Sequence, residues 1–107
     1  MKRILVKYRV YFFCQDKIQE QAVTIIENAF PGTEAYPLVE RGVWNLVKKK
    51  GFTEDELEKV AHAVIDAIPD ISFLMDIMHY DTVTTAKLVK TRFDYENHRL
   101  RVYHDLI

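Results

Sequence analysis

The sequence predicts an α+β fold: a single domain over residues 1–107 in which strands of a mainly antiparallel sheet alternate with two amphipathic helices. Three observations lead to this prediction. Near the N-terminus apolar residues recur at every second position, which is the period of a half-buried strand. Two later segments repeat apolar residues every three to four positions, as a helix packed on a core does. The chain has 107 residues, 49% of them hydrophobic, so it can bury one core without disulfides.

The first strand is predicted from the alternation that follows Lys2. The residues on one face are Ile4, Val6, Tyr8, Val10 and Phe12, and those on the other are Arg3, Leu5, Lys7, Arg9, Tyr11 and Phe13. We expect the helices to cover the first face. The second face would then be solvated, covered by a C-terminal hairpin, or buried against a second copy.

The first helix follows the strand directly. Asp16 with Gln19 three residues later has the spacing of a capping box, and Pro31-Gly32 would end the helix. The predicted buried stripe consists of Ile18, Ala22, Ile25, Ile26 and Ala29.

Two short apolar runs come next, over residues 35–38 and 43–47. They are separated by Glu40-Arg41-Gly42, so they predict a hairpin. Pro37 cannot donate to a strand ladder, which indicates that the first run lies at a sheet edge or at a bulge.

The second helix has the clearest start signal in the chain. Thr53 and Glu56 form a capping-box pattern, and Pro69-Asp70 would stop the helix. The predicted buried stripe consists of Leu57, Val60, Ala61, Val64 and Ile68.

The rest of the chain is predicted to be β. Residues 71–78 alternate, residues 82–85 are β-branched, and residues 89–95 and 99–104 alternate on either side of a turn at Glu96-Asn97-His98. The resulting order, β-α-β-β-α-β, is the split β-α-β or ferredoxin-like plan. We therefore expect a two-layer ferredoxin-like sandwich with an additional C-terminal strand or β-hairpin.

Composition limits the classes of function. With 15 basic and 16 acidic residues the net charge is −1, so nucleic-acid binding would need a local basic patch. No run of about 18 apolar residues exists, which argues against a membrane partner. The lone Cys14 cannot form an internal disulfide, and we expect a reduced, half-buried thiol in a cytoplasmic protein.

Basic and aromatic residues alternate on the second face of strand one, at Lys7, Arg9, Tyr11 and Phe13. The favoured interpretation is that the rings form a dimer interface with Lys7 and Arg9 at its rim. Charges that follow phosphates and rings that stack on bases are, alternatively, what single-stranded RNA or DNA binding uses.

The predicted plan also resembles the RNA-recognition-motif architecture, in which strands one and three carry stacking rings. Tyr11 in Val10-Tyr11-Phe12 matches the strand-one position. In strand three only the Arg41-Gly42 opening matches, since Val43 and Asn45 occupy the positions where that family has aromatic residues.

The terminal hairpin has the highest local density of basic residues, at Lys90, Arg92, Arg99 and Arg101. If the chain binds RNA or single-stranded DNA, these residues would add to the binding surface. Asp94 lies among these residues, and its cross-strand pairing with Arg99 or Arg101 would neutralise part of the charge.

The one plausible metal or acid–base set is Asp76, His79, Asp81 and His104. Asp76 and His79 have opposite strand parity, so they should point to opposite faces of the sheet. We therefore expect polar residues of the surface or of strand ends, with no metal site.

The sequence contains no nucleophile–base pair, phosphate loop or dinucleotide fingerprint, and it implies no cofactor. We predict a non-enzymatic binding or regulatory module that self-associates through its sheet as a homodimer, with another protein as a further possible partner. One alternative is an RNA- or single-stranded-DNA-binding protein. The other is a small enzyme with a site at the open sheet face or the subunit interface.

Overall fold

Residues 3–106 are described by a computed structural model of the chain. They form two helices and six strands. In chain order these are β1 (Ile4–Phe12), α1 (Asp16–Ala29), β2 (Thr33–Pro37), β3 (Val43–Lys48), α2 (Glu54–Ala67), β4 (Phe73–Asp81), β5 (Lys87–Glu96) and β6 (Arg99–Leu106).

The strands form one open sheet in the order β2-β3-β1-β4-β5-β6, and every neighbouring pair is antiparallel. The predicted α+β class is confirmed. The additional hairpin, β5 with β6, lengthens the sheet sideways and leaves its second face uncovered. Pro37 lies in the edge strand β2, as its missing amide hydrogen requires.

Both helices pack against one face of the sheet. The core between the two layers consists mainly of Val10, Phe12, Leu46, Phe73, Met75 and Phe93 from the sheet and Ala22, Ile26, Leu57, Val60, Ala61 and Val64 from the helices. Apolar burial of this kind is the main favourable contribution to folding. No helix within residues 3–106 is long and apolar enough to span a membrane.

The predictions for α2 are confirmed. The Thr53 hydroxyl accepts a hydrogen bond from the Glu56 amide at 3.1 Å, and the Thr53 amide donates to the Glu56 carboxylate at 3.0 Å. The two bonds satisfy helix-start amides that otherwise lack partners. The buried residues Leu57, Val60, Ala61 and Val64 form the predicted stripe except for Ile68, which is the half-buried C-cap residue just beyond the helix.

The prediction of a capping box on α1 is wrong. Gln15 is the N-cap residue and makes no side-chain capping bond. Asp16 is the first helical residue, and its carboxylate binds the Arg41 guanidinium at 3.0 Å. A carboxylate in this first turn still interacts favourably with the helix dipole.

The predicted buried stripe of α1 is also displaced. The buried residues are Gln19, Ala22, Val23 and Ile26, whereas Ile18 and Ile25 are half-buried and Ala29 is exposed. Gln19 donates to the Cys14 carbonyl at 2.8 Å and accepts from the Trp44 indole at 3.3 Å. Because both ends of the amide are satisfied, it can be buried at little cost.

Residues 82–85, predicted to be β-like, form the loop between β4 and β5. One Asp81 carboxylate oxygen accepts from the amides of Val83 at 2.8 Å and Thr84 at 3.3 Å. This Asp-initiated turn outweighs the β-propensity of the threonines. These bonds also hold the pKa of Asp81 below its ordinary value.

The turn predicted between the last two strands is confirmed. Asn97 and His98 have φ of 52° and 61°, the positive values of a two-residue type I′ turn. The hairpin also contacts both ends of α2, because His98 lies 2.6 Å from Asp70 and His104 lies 2.6 Å from Glu54.

Candidate binding face of the sheet

The sheet surface opposite the helices is called the open face. Cross-strand register places on it Lys7, Arg9 and Tyr11 of β1, Asn45 of β3, Leu74, Asp76 and Met78 of β4, Arg92 and Asp94 of β5, and Arg101 and Tyr103 of β6. Nothing within residues 3–106 packs over it. A face of six strands is therefore available to a partner.

The predicted residues of strand one occupy the middle of this surface. Lys7, Arg9 and Tyr11 project from β1, a central strand, and all three are half-buried. The Lys7 ammonium lies 4.8 Å from the Tyr80 ring centre, a cation–π distance. Phe13 follows the end of β1, is 63% exposed, and lines a depression of about 340 Å³ with Leu74 and Asp94.

A buried ion pair lies at the centre of the open face. Asp76 is fully buried and accepts two hydrogen bonds from Arg92, at 2.8 and 2.7 Å. The expectation that Asp76 is a surface or strand-end residue is therefore wrong. The bond to Asp76 raises the pKa of Arg92 above its ordinary value, and the two parallel bonds make a two-pronged contact.

Arg9 lies on the other side of Asp76, directly opposite it in the register of β1 and β4. Its Nε donates to Asn45 Oδ1 at 3.4 Å. Both oxygens of Asp76 accept hydrogen bonds from Arg92, and within residues 3–106 Arg9 makes no ion pair. The centre of the face therefore carries a net positive charge with unused hydrogen-bond donors.

The basic residues of the hairpin have different surroundings. Lys90 pairs with Asp105 at 2.8 Å, so both Lys90 and Arg92 are compensated. Arg101 lies directly opposite Asp94 and Arg99 opposite Glu96, but among residues 3–106 neither arginine makes an ion pair, so the predicted charge pairing is not formed. Because Lys90 and Arg92 are compensated, the hairpin still adds less net charge to the open face than its sequence indicates.

A cleft opens where β1 and β3 separate. Their register extends only from Tyr8 to Tyr11 of β1, whereas β1 pairs with β4 from Ile4 to Phe12. The resulting cleft has a volume of about 520 Å³, and four lysines line it: Lys7, Lys48, Lys49 and Lys50.

One of these lysines is neutralised. The Lys48 ammonium binds Glu56 at 2.6 Å, and this bond, helped by the Thr53 amide, lowers the pKa of Glu56 to about 2. Within residues 3–106, Lys7, Lys49 and Lys50 make no ion pair. The cleft is therefore a basic recess that opens beside Lys7.

The other candidates give no reactive centre among the described residues. His79 lies on the helix side of the sheet, away from Asp76, as its parity predicted, and residues 3–106 contain no cluster of three or more potential metal ligands. Cys14 is half-buried, as predicted. Burial and the nearby Asp16 carboxylate raise the pKa of its thiol, which disfavours the nucleophilic thiolate.

Comparison of the chain with protein-family models, with curated proteins and with solved structures found no match.

Sequence patterns did not reveal the pairing of Asp76 with Arg92 or the lysine cleft. The pairing depends on the register of β4 and β5, which are 16 residues apart at this point. The cleft depends on where β1 and β3 separate. The available signals were an aspartate within the apolar alternation of β4 and the Lys48-Lys49-Lys50 run, which by itself indicates only a solvated turn.

Proposed function

We propose that this chain is a non-enzymatic binding module that self-associates through the β6 edge of its sheet. The observation that carries the proposal is that this edge strand is long, exposed and unpaired on one side. β6 has eight residues, pairs with β5 on one side only, and is exposed on both faces, with Val102 38% and Tyr103 37% exposed. A long unpaired edge is a template for another strand.

The hairpin geometry defines which backbone groups are available. Glu96 and Arg99 flank the two-residue turn, and such flanking residues exchange hydrogen bonds with each other. Since bonded and non-bonded pairs alternate along an antiparallel ladder, the amides of Leu100, Val102 and His104 point away from β5. The other edge strand, β2, is shorter and contains Pro37, which is a common protection against such pairing.

A two-fold pairing centred on Val102 is compatible with the charges of β6. Arg101 then lies opposite Tyr103 of the partner subunit. Arg99 lies opposite Asp105 of the partner subunit, which has a φ of 55° and already pairs with Lys90, so the proposed pairing rests on residues 100–104. Arginine–aromatic neighbours stabilise cross-strand pairing, whereas like charges oppose it. Antiparallel edge pairing also gives the closed symmetry that most homodimers have.

The same charges disfavour a dimer formed by two open faces, the arrangement favoured from sequence. Face-to-face contact would bury Arg9, whose nearest carboxylate already binds Arg92 twice. Burying a charge without a partner costs several kcal/mol. Edge pairing leaves Arg9 in water.

The experiment is light scattering on matched valine variants. The wild-type chain should have twice the monomer mass of 12.7 kDa. Val102→Lys and Val102→Glu place like charges opposite each other across the two-fold axis, so each should be a monomer. An equimolar mixture of the two should restore the dimer mass.

Val39→Lys is the control, because Val39 is fully exposed in the β2–β3 connection, and it should leave the mass unchanged. A monomeric wild type, or dimers of both charged variants, would refute edge pairing.

Two finer assignments belong to the same proposal. The ferredoxin-like arrangement of the first six elements is supported by the position of β1 between β3 and β4 with both helices on one face. A cytoplasmic, reducing location is supported by the half-buried thiol of Cys14.

A further inference from the structure

The charges of this chain are unevenly distributed between its helices and the rest of the chain. The helices α1 and α2 together carry eight carboxylates and two lysines, a formal charge of −6. The six strands carry eight lysines and arginines and six carboxylates, a formal charge of +2. The remaining segments carry five lysines and arginines and two carboxylates, so the whole chain has −1. The sheet is therefore basic relative to the helices, which the net charge of the chain conceals.

On the sheet, several basic residues that make no ion pair lie along β1 and in the lysine cleft. Arg9 makes no ion pair within residues 3–106, and Lys7, two positions before it, both projects from the open face and lines the cleft. Lys49 and Lys50 line the same cleft. Residues two apart on a strand are separated by about 6.6 Å, so Lys7 and Arg9 lie close together on β1.

Beyond Arg9, toward the C-terminal end of β1, the open face carries aromatic side chains. Tyr11 follows Arg9 on the same face of β1, and the exposed Phe13 lies just beyond the end of the strand. Asp76 adds no exposed carboxylate to this surface, because it is fully buried and bound to Arg92. Two carboxylates, Asp94 and Glu96, line the depression beside Phe13, and Asp94 lies opposite Arg101 across the hairpin.

We propose that the open face binds single-stranded nucleic acid along β1, with phosphates at Lys7, Arg9 and the lysine cleft and a base stacked on Tyr11. A group of cations beside an aromatic platform fits a ligand that has both regular negative charge and flat rings. An acidic protein segment would satisfy the cations but would leave Tyr11 unused. A duplex would hide its bases from the ring.

This inference does not depend on self-association, because a monomer presents all of these residues. Edge pairing through β6 would place two open faces on the same side of one continuous sheet, since the two-fold axis is then perpendicular to the sheet. A strand long enough to reach both faces would bind more tightly to the dimer.

The test is fluorescence anisotropy of a short fluorescein-labelled oligouridine across a salt series. Wild-type protein should bind with an affinity that falls as salt rises. Lys7→Ala and Arg9→Ala should each reduce the logarithmic salt slope by about 0.7, the value for one phosphate contact to a single strand. Lys59→Ala, on the exposed side of α2, is the matched control and should leave the slope unchanged.

Stacking is tested separately with Tyr11→Leu, which keeps an apolar side chain but removes the ring. It should lower the affinity about tenfold and leave the salt slope unchanged. Binding of inorganic polyphosphate should be insensitive to this change, since it has no bases.

Three results would overturn the proposal: no binding at low salt, equal binding of duplex and single strand, or equal affinity of wild type and Tyr11→Leu for the oligouridine. Val102→Lys should still bind the oligouridine as a monomer. Failure of self-association and failure of nucleic-acid binding are therefore distinguishable.

Discussion

Two aspartate–arginine pairs of similar geometry lie in different surroundings. Asp76 and Arg92 meet on the open face with Asp76 fully buried and Arg92 30% exposed. Asp16 and Arg41 meet at the start of α1, where both side chains are largely in water. An exposed pair contributes little because water screens it. Removing one partner of a buried pair leaves a charge without compensation.

Asp76→Asn should therefore destabilise the protein by about 3 kcal/mol, the lower end of the range for breaking a buried pair, because water reaches Arg92. Asp16→Asn should cost less than about 1 kcal/mol. Urea unfolding of both variants measures the difference. Equal costs would mean that Asp76 is solvated in solution.

Glu56 makes stability depend on pH. Its pKa in the folded chain is about 2, lowered by the bond from Lys48, while an unfolded glutamate titrates near 4.3. A carboxyl group with a lowered folded pKa stabilises the fold above its unfolded pKa. That contribution is lost as pH falls toward the folded pKa.

The thermal stability of wild type and Glu56→Gln should therefore differ most above pH 5 and converge as the pH falls toward 2. Glutamine can still accept the capping hydrogen bond, so the comparison isolates the charge. Glu58→Gln, on the same helix, is the control. A wild-type advantage that is constant from pH 6 to pH 2 would contradict the role given to Lys48.

At the scale of helices and strands, sequence patterns correctly predicted the features that depend on contacts between residues close in sequence. The capping hydrogen bonds that start α2 lie within residues 53–56, so its capping box could be predicted from sequence. The burial of Gln19 in α1 instead depends on Trp44, 25 residues away on β3. No pattern within α1 contains that information.

The same distinction explains the sheet. Alternation predicted the faces of β1, and Pro37 predicted an edge strand. Two features depend on which strands pair and on their register: the binding of Asp76 to Arg92, and the separation of β1 and β3 before Tyr8. Those properties arise from contacts distant in sequence. The loop after Asp81 was missed because the hydrogen bonds that its carboxylate accepts from two backbone amides outweigh the β-propensity of three threonines.

Val64→Asp tests the packing of α2. Val64 is completely buried in the core, and an unpaired carboxylate there should cost several kcal/mol and prevent folding. His62→Asp, on the exposed side of the same helix, should leave the chain folded. Circular dichroism and thermal unfolding compare the two. A folded Val64→Asp variant with unchanged melting temperature would mean that the other side of α2 faces the sheet.

At the scale of the molecule, the strand order leaves three features unpartnered within residues 3–106: the open face, the β6 edge and the shorter β2 edge that contains Pro37. The acidic helices lie on the opposite side of the sheet from the open face, so a polyanion on that face would not meet them. The β6 edge lies in the plane of the sheet, so pairing there would leave the open face accessible. The two proposed interactions are therefore compatible in one assembly.

Amide hydrogen exchange tests edge pairing most directly, because it reads the backbone groups that the proposal uses. The amides of Arg101 and Tyr103 bond to β5 and should be protected at every protein concentration. Those of Leu100, Val102 and His104 point away from β5, so their protection should increase with concentration as dimers form, and Val102→Lys should abolish that increase at Leu100 and His104. Rapid exchange of Leu100, Val102 and His104 at all concentrations would contradict self-association through β6.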